Sequence, residues 1–81
     1  MKMPRNISGD ELAKGLSVFG YKVTRQVGSH QRLTTIQGGQ HHITIPRHDP
    51  IKIGTLSGIL ADIAEHLKLS KQEVVNRVFG K

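Results

Sequence analysis

Three apolar side chains near the N-terminus recur at helical spacing: Leu12, Leu16 and Phe19. Intervals of four and three residues place all of them on one face of a helix. Ser8 and Glu11, just ahead of this stripe, have the spacing of a capping box, in which each side chain accepts a hydrogen bond from a free backbone N–H of the first turn. The pattern predicts a first helix over roughly residues 9–19 that Gly20 ends.

The C-terminal third of the chain carries two further helical patterns. The longer stripe predicts a second helix over roughly residues 54–67 and consists of Leu56, Ile59, Leu60, Ile63, Ala64 and Leu67. Ser70 and Glu73 form another capping box ahead of the apolar residues Val74, Val75, Val78 and Phe79. This second pattern predicts a short third helix ended by Gly80.

Between the first two helices the hydrophobic period changes from helical to alternating. Three short segments have this character: 21–27, 32–36 and 41–45. In the first, Tyr21, Val23 and Val27 are expected on one face and polar residues on the other. Glycines mark tight turns at 28–30 and 38–39. The order predicts an α+β fold, α-β-β-β-α with an extra C-terminal helix, in which the helices cover one face of an antiparallel meander and leave the other free.

The composition limits the size and setting of this fold. The 81 residues allow one domain over 1–81, and with 36% hydrophobic and 4% aromatic residues its core is expected to be aliphatic. The chain has no cysteine, which excludes disulfides and thiolate zinc sites and suits a cytoplasmic location. No window approaches the ~20 apolar residues of a membrane span, so we expect no membrane association.

The charge is strongly and unevenly positive. Twelve Lys and Arg against six Asp and Glu give a net charge of +6, and no acidic residue lies between Leu12 and His48. Such an imbalance commonly accompanies a polyanionic partner such as RNA or DNA. Scattered cations that only keep a small protein soluble are the alternative.

The histidines are the best candidates for acid–base chemistry at neutral pH. His30 follows Gly28 and Ser29 in a predicted turn, where its side chain can meet a ligand. His41 and His42 are neighbours on a strand and point to opposite faces, so they are poorly placed to bind one metal ion together. We expect no metal site and no cofactor, because the histidines lack carboxylates or thiolates at ligand spacing. A Ser29 nucleophile is disfavoured, because adjacent residues seldom align for proton transfer.

Several short motifs in register resemble the HicA family of small toxins: Gly20-Tyr21, Val27-Gly28-Ser29-His30, His42-Ile43-Thr44-Ile45-Pro46, Ile53-Gly54-Thr55-Leu56 and Ile59-Leu60. The resemblance covers roughly residues 8–67 and implies a fold similar to a double-stranded RNA-binding domain. Tyr21 stands where that family often has tryptophan, and the tail from Leu69 to Lys81 extends beyond the common core.

The resemblance implies an mRNA interferase of a type II toxin-antitoxin system, with His30 as the active-site histidine and an acidic HicB-type antitoxin as partner. A metal-independent mechanism fits, because one histidine can act as general acid and base while cations offset the charge on the phosphoryl oxygens. The expected RNA-binding residues are Lys22, Arg25, Gly28, Ser29, Arg32 and Lys52. A non-catalytic RNA-binding module and a protein that only binds its partner are the alternatives. A solubilising role for Lys22 and Lys52, and a merely flanking one for Arg25, stay open.

Overall fold

The computed structural model describes residues 4–80, so the predicted domain over 1–81 is described without its first three residues and Lys81. The elements follow the predicted order: α1 (Gly9–Gly15), a 3₁₀ turn (Leu16–Phe19), β1 (Lys22–Val27), β2 (His30–Thr35), β3 (His41–Pro46), α2 (Ile53–Leu67) and α3 (Lys71–Phe79). The α+β, double-stranded-RNA-binding-domain-like prediction is confirmed. Within residues 4–80, no helix combines the length and apolarity needed to cross a membrane.

The predicted first helix changes character halfway along. Both halves of the Ser8–Glu11 capping box are present at its start. After Gly15 the α-helix tightens into the 3₁₀ turn, and Gly20 ends it in the left-handed conformation, with φ of 80°. Gly15 is also a close contact, since a Cβ there would lie 2.7 Å from Cγ1 of Val78 in α3. The helix therefore needs glycine at the point where α3 crosses it.

The three strands form one antiparallel sheet in the order β1-β2-β3. β2 is central, with Leu33 opposite Val23 on one side and Ile43 on the other. A bulge between Val23 and Arg25 shifts the register of β1. The prediction that Val23 and Val27 share an apolar face is therefore wrong, because the bulge places Val27 beside His30, on the opposite face from Val23.

The core lies between one face of the sheet and the helices. It is aliphatic apart from Phe19 and Tyr21, and it consists of Leu12, Leu16, Phe19, Tyr21, Leu33, Ile43, Ile45, Ile51, Leu56, Leu60, Ile63, Ala64, Val74 and Val75. Val74 and Val75 are buried, so α3 is part of the same core and not an appendage. β1 contributes no buried side chain, because all six of its residues are exposed.

Thr35 provides a test of how the end of β2 is joined to the 3₁₀ turn. Its side chain is buried, donates a hydrogen bond of 2.7 Å to the carbonyl of Phe19 and accepts one from the N–H of Gln37. Thr35→Val preserves shape but removes both bonds, so we expect the free energy of unfolding to fall by about 1–3 kcal/mol. Thr44→Val is the control, because Thr44 is an exposed residue of β3, and its effect should stay within about 0.5 kcal/mol. Equal stability of the two variants in urea denaturation would contradict this account.

Candidate functional site

The side chains of β2 alternate strictly between the core and solvent. Gln31, Leu33 and Thr35 are buried, whereas His30 and Arg32 are exposed. Neighbouring strands extend the exposed side into a surface that no helix covers. We call this surface the open face, and its residues are Lys22, Thr24, Arg25, Val27, His30, Arg32, Thr34, His42 and Thr44.

His30 lies at one end of the open face. The prediction placed it in the turn, but the turn is only Gly28 and Ser29, and His30 is the first residue of β2. Gly28 makes this short connection possible with φ of 58°, a left-handed conformation that glycine adopts without strain. His30 is paired with Val27 on one side and Pro46 on the other. His30 is consequently positioned by the strands on both sides of β2.

The turn itself is joined to the end of β3. The N–H of Arg47 donates a hydrogen bond of 2.6 Å to the carbonyl of Ser29. Arg47 in turn makes a two-pronged ion pair with Asp10 of α1, with both N–O distances 3.0 Å. This guanidinium, with Gln31 as a further donor, lowers the pKa of the Asp10 carboxyl. Asp10 and Arg47 thus neutralise each other, and Arg47 is not a free cation for a ligand.

The predicted cations divide into two groups. Lys22, Arg25 and Arg32 all lie on the open face with His30. Arg25 and Arg32 are directly opposite each other on β1 and β2, an arrangement of like charges that destabilises a sheet. Lys52 is separate, because it is exposed at the N-cap of α2 and lines neither of the hollows described below.

A shallow hollow of about 130 Å³ adjoins His30. Its lining residues are Arg25, Val27, His30, Gln31, Arg32 and Thr44. It thus brings the predicted catalytic histidine together with two of the predicted RNA-binding arginines. No carboxylate lines it.

His30 differs in its hydrogen bonding from the other histidines of the sheet and helices. His41, His42 and His66 each have side-chain or backbone partners. Within residues 4–80, no group of three His, Asp or Glu side chains is placed to hold a metal ion. The chemistry that the hollow at His30 offers is therefore an exposed imidazole beside two guanidinium groups.

Comparison with known families gives one match. A sequence model of the family described as the HicA toxin of bacterial toxin-antitoxin matches residues 9–64, more than half of the chain. The chain belongs to the HicA toxin family. No curated protein and no solved structure matched it. Membership identifies the protein as the toxin of a bacterial toxin-antitoxin pair, which implies an antitoxin partner.

The match extends from the first residue of α1 into the last turn of α2, so α3 lies outside it. This HicA toxin nevertheless packs α3 into its core through Val74 and Val75. The C-terminal extension is therefore structural here, and it lies among the helices that leave the open face uncovered.

A polar cluster on the helix side of the sheet was missed by sequence reasoning. The hydroxyl of Tyr21 lies 2.7 Å from Nδ1 of His41, whose Nε2 lies 3.2 Å from Asp62. His66 stacks on the His41 ring at 4.3 Å and donates to the carbonyls of Gln37 and Gly39. Burial, with a smaller effect from the Asp62 charge, raises the pKa of Tyr21 to about 12. Tyr21 and His41 are 20 residues apart and His41 and Asp62 are 21 apart, so no local pattern connects these three segments.

The Arg25–Arg32 pair generates a stability prediction for the HicA toxin. Arg25→Gln removes a like-charge contact, so the free energy of unfolding should rise by about 0.2–0.5 kcal/mol at low salt, and the gain should shrink as salt screens the charges. Arg5→Gln is the control, because Arg5 is exposed and outside the sheet. Urea denaturation at two salt concentrations measures both variants. A loss of stability in Arg25→Gln at low salt would show that the pair is not repulsive.

Proposed function

We propose that this HicA toxin is a metal-independent endoribonuclease that cleaves mRNA in the cytoplasm, with His30 as its single general acid and base. The observation that carries this proposal is the position of His30 on the open face, in one hollow with Arg25 and Arg32. A nuclease needs an accessible base beside positive charge, and this hollow supplies both.

The chemistry follows from the ability of RNA to cut itself when a base removes the proton of a 2′-hydroxyl group. The neutral imidazole of His30 takes this proton, and the 2′-oxygen attacks the adjacent phosphorus while the bond to the 5′-oxygen breaks. Arg25 and Arg32 offset the negative charge that builds on the phosphoryl oxygens. The leaving 5′-oxygen takes its proton from the imidazolium or from water. The products are a 2′,3′-cyclic phosphate and a free 5′-hydroxyl.

The open face also offers cations for binding the RNA backbone. Lys22 continues the line of cations along the sheet beyond Arg25 and Arg32, and cations of this kind bind phosphates without regard to sequence. Gly28 and Ser29 shape the turn beside His30, and Lys52 is an exposed cation at the start of α2. We assign these residues to RNA binding in the same proposal.

The first prediction of this proposal concerns His30. His30→Ala should abolish RNA cleavage and growth arrest, while RNA affinity stays within about tenfold because the arginines remain. Wild-type products should carry the cyclic phosphate or a 3′-phosphate, and chelators should not stop the reaction. Gel analysis of a labelled single-stranded RNA, with end-group mapping, measures all of this.

His48→Ala is the matched control. His48 is also an exposed histidine, but it lies in the loop after β3 and lines neither hollow, so this variant should cleave at the wild-type rate. Cleavage by His30→Ala at the wild-type rate, or a requirement for magnesium, would exclude the mechanism. RNA binding by the wild type without any cleavage would favour the non-catalytic RNA-binding module.

We further propose that the antitoxin is an acidic protein of the HicB type that covers the open face. The charge of this face and an exposed apolar side chain on it favour such a partner. It carries Lys22, Arg25 and Arg32 without a carboxylate on the same strands, and it exposes 62% of Val27. Apolar contact and opposite charge would therefore both stabilise the complex. An antitoxin bound over His30 would block the nuclease.

A second prediction tests this masking. The affinity of the toxin for the antitoxin should fall as the salt concentration rises. The Arg25→Gln toxin should dissociate from the antitoxin faster than the Arg5→Gln toxin does. Hydrogen exchange of the backbone over residues 27–32 should slow in the complex. A complex in which this segment exchanges as in free toxin would show that the antitoxin binds elsewhere.

A further inference from the structure

A second and larger hollow lies between β3 and α2, with a volume of about 630 Å³. We call it the β3–α2 groove, and its lining residues are Arg32, His42, Ile43, Thr44, Gly54, Thr55, Gly58, Ile59 and Asp62. The volume falls in the range of pockets that hold small organic ligands. Its walls combine flat cationic or aromatic groups from the sheet with small and acidic residues from the helix.

Two polar side chains of the groove are held in place from outside it. Nδ1 of His42 lies 2.7 Å from the hydroxyl of Thr34, which leaves Nε2 available. Oδ1 of Asp62 accepts from His41 at 3.2 Å, which leaves Oδ2 available. A second atom of each side chain is thus free while the side chain itself is oriented. Groups fixed in this way lose little entropy when they bind a ligand.

Opposite charges line this groove without meeting. Arg32 and Asp62 both contribute to the walls, yet Arg32 is in no ion pair among residues 4–80, and the contact of Asp62 is with His41. A ligand that spans the two must offer an acceptor to the guanidinium and donors to the carboxylate. The edge of an unpaired nucleobase has this combination.

Gly58 widens the groove at a cost to the helix. It lies in the interior of α2, where glycine is less favourable than alanine by about 0.8–1 kcal/mol. A Cβ at this position would have no atom within 4 Å, so packing within the described residues does not require glycine. A side chain here would project into the open groove.

The groove is continuous with the hollow at His30. Arg32 and Thr44 line both of them. A nucleotide in the groove would therefore lie next to the phosphate that the proposed nuclease attacks.

We propose that the β3–α2 groove is a base-recognition subsite that binds one unpaired guanine of the RNA. This inference rests on the proposed function for the role of RNA, and it adds the residues that select the sequence. The flat imidazole of His42 provides a stacking surface for the base. The N–H groups on N1 and N2 of guanine can donate to the Asp62 carboxylate, and its O6 can accept from the Arg32 guanidinium.

Titration with 5′-GMP, 5′-AMP, 5′-CMP and 5′-UMP tests the subsite without any cleavage step. In ¹⁵N NMR spectra of the 81-residue toxin, GMP should shift the amide signals of Gly54 and Gly58 more than the other nucleotides do. The amide signals of Gly15 and Gly80, outside the groove, should move little. Equal effects of all four nucleotides, a preference for another base, or no shift at the groove would overturn the proposal.

Two pairs of variants separate the groove from general effects on α2. Asp62→Asn should weaken GMP binding about tenfold, whereas Glu65→Gln removes the same charge from an exposed position outside the groove and should not. Gly58→Gln should block binding, while Ala61→Gln, also exposed and outside the groove, should preserve it. Circular dichroism checks that all four remain folded. Equal GMP affinity within each pair would overturn the assignment.

Mapping of cleavage sites on a single-stranded RNA supplies an independent readout. Wild type and Glu65→Gln should cut beside guanines, and Asp62→Asn should lose this preference while it retains cleavage that depends on His30. Unchanged sites in Asp62→Asn would refute the subsite and leave the nuclease intact. If wild type cuts no RNA, the proposed function fails, and GMP titration still decides whether the groove binds guanine.

Discussion

The alternation of side chains along β2 is the constraint on which both the core and the site depend. β2 is the central strand, so its inward residue Leu33 packs in the core while its outward residues His30 and Arg32 reach solvent. A slip of one residue would exchange the two sets. Burial of Leu33 beside Ile43 and Ile45 therefore holds His30 and Arg32 on the open face.

The open face places like charges together although this arrangement opposes folding. Arg25 and Arg32 face each other across the sheet, and no carboxylate among residues 4–80 forms an ion pair with either of them. Asp10 binds Arg47, and Asp62 binds His41. Packing on the other side of the sheet outweighs the repulsion, so the positive charge stays available for an anionic partner.

The position of α2 creates the β3–α2 groove. The helix packs Leu56, Leu60 and Ile63 into the core, and this contact leaves Gly58 and Asp62 along the edge of β3. The His41–Asp62 contact links the helix to the strand at one end of this edge. The β3–α2 groove is thus a consequence of how the helix is anchored. It is not a property of any one segment.

Local patterns in the sequence determined the elements, because capping boxes, glycine turns and the change from helical to alternating period each act over a few residues. The same patterns predicted a free face of the sheet, and His30, Arg25 and Arg32 stay predictions as site residues. Strict alternation along β1 would have placed Arg25 on the face of Val23, and the bulge moves it to the open face. The bulge that separates Val23 from Val27, the pairing of Asp10 with Arg47 and the Tyr21–His41–Asp62 cluster were decided only by tertiary structure. Each joins residues from different segments, and their relative positions depend on how the helices pack against the sheet, which no local pattern records.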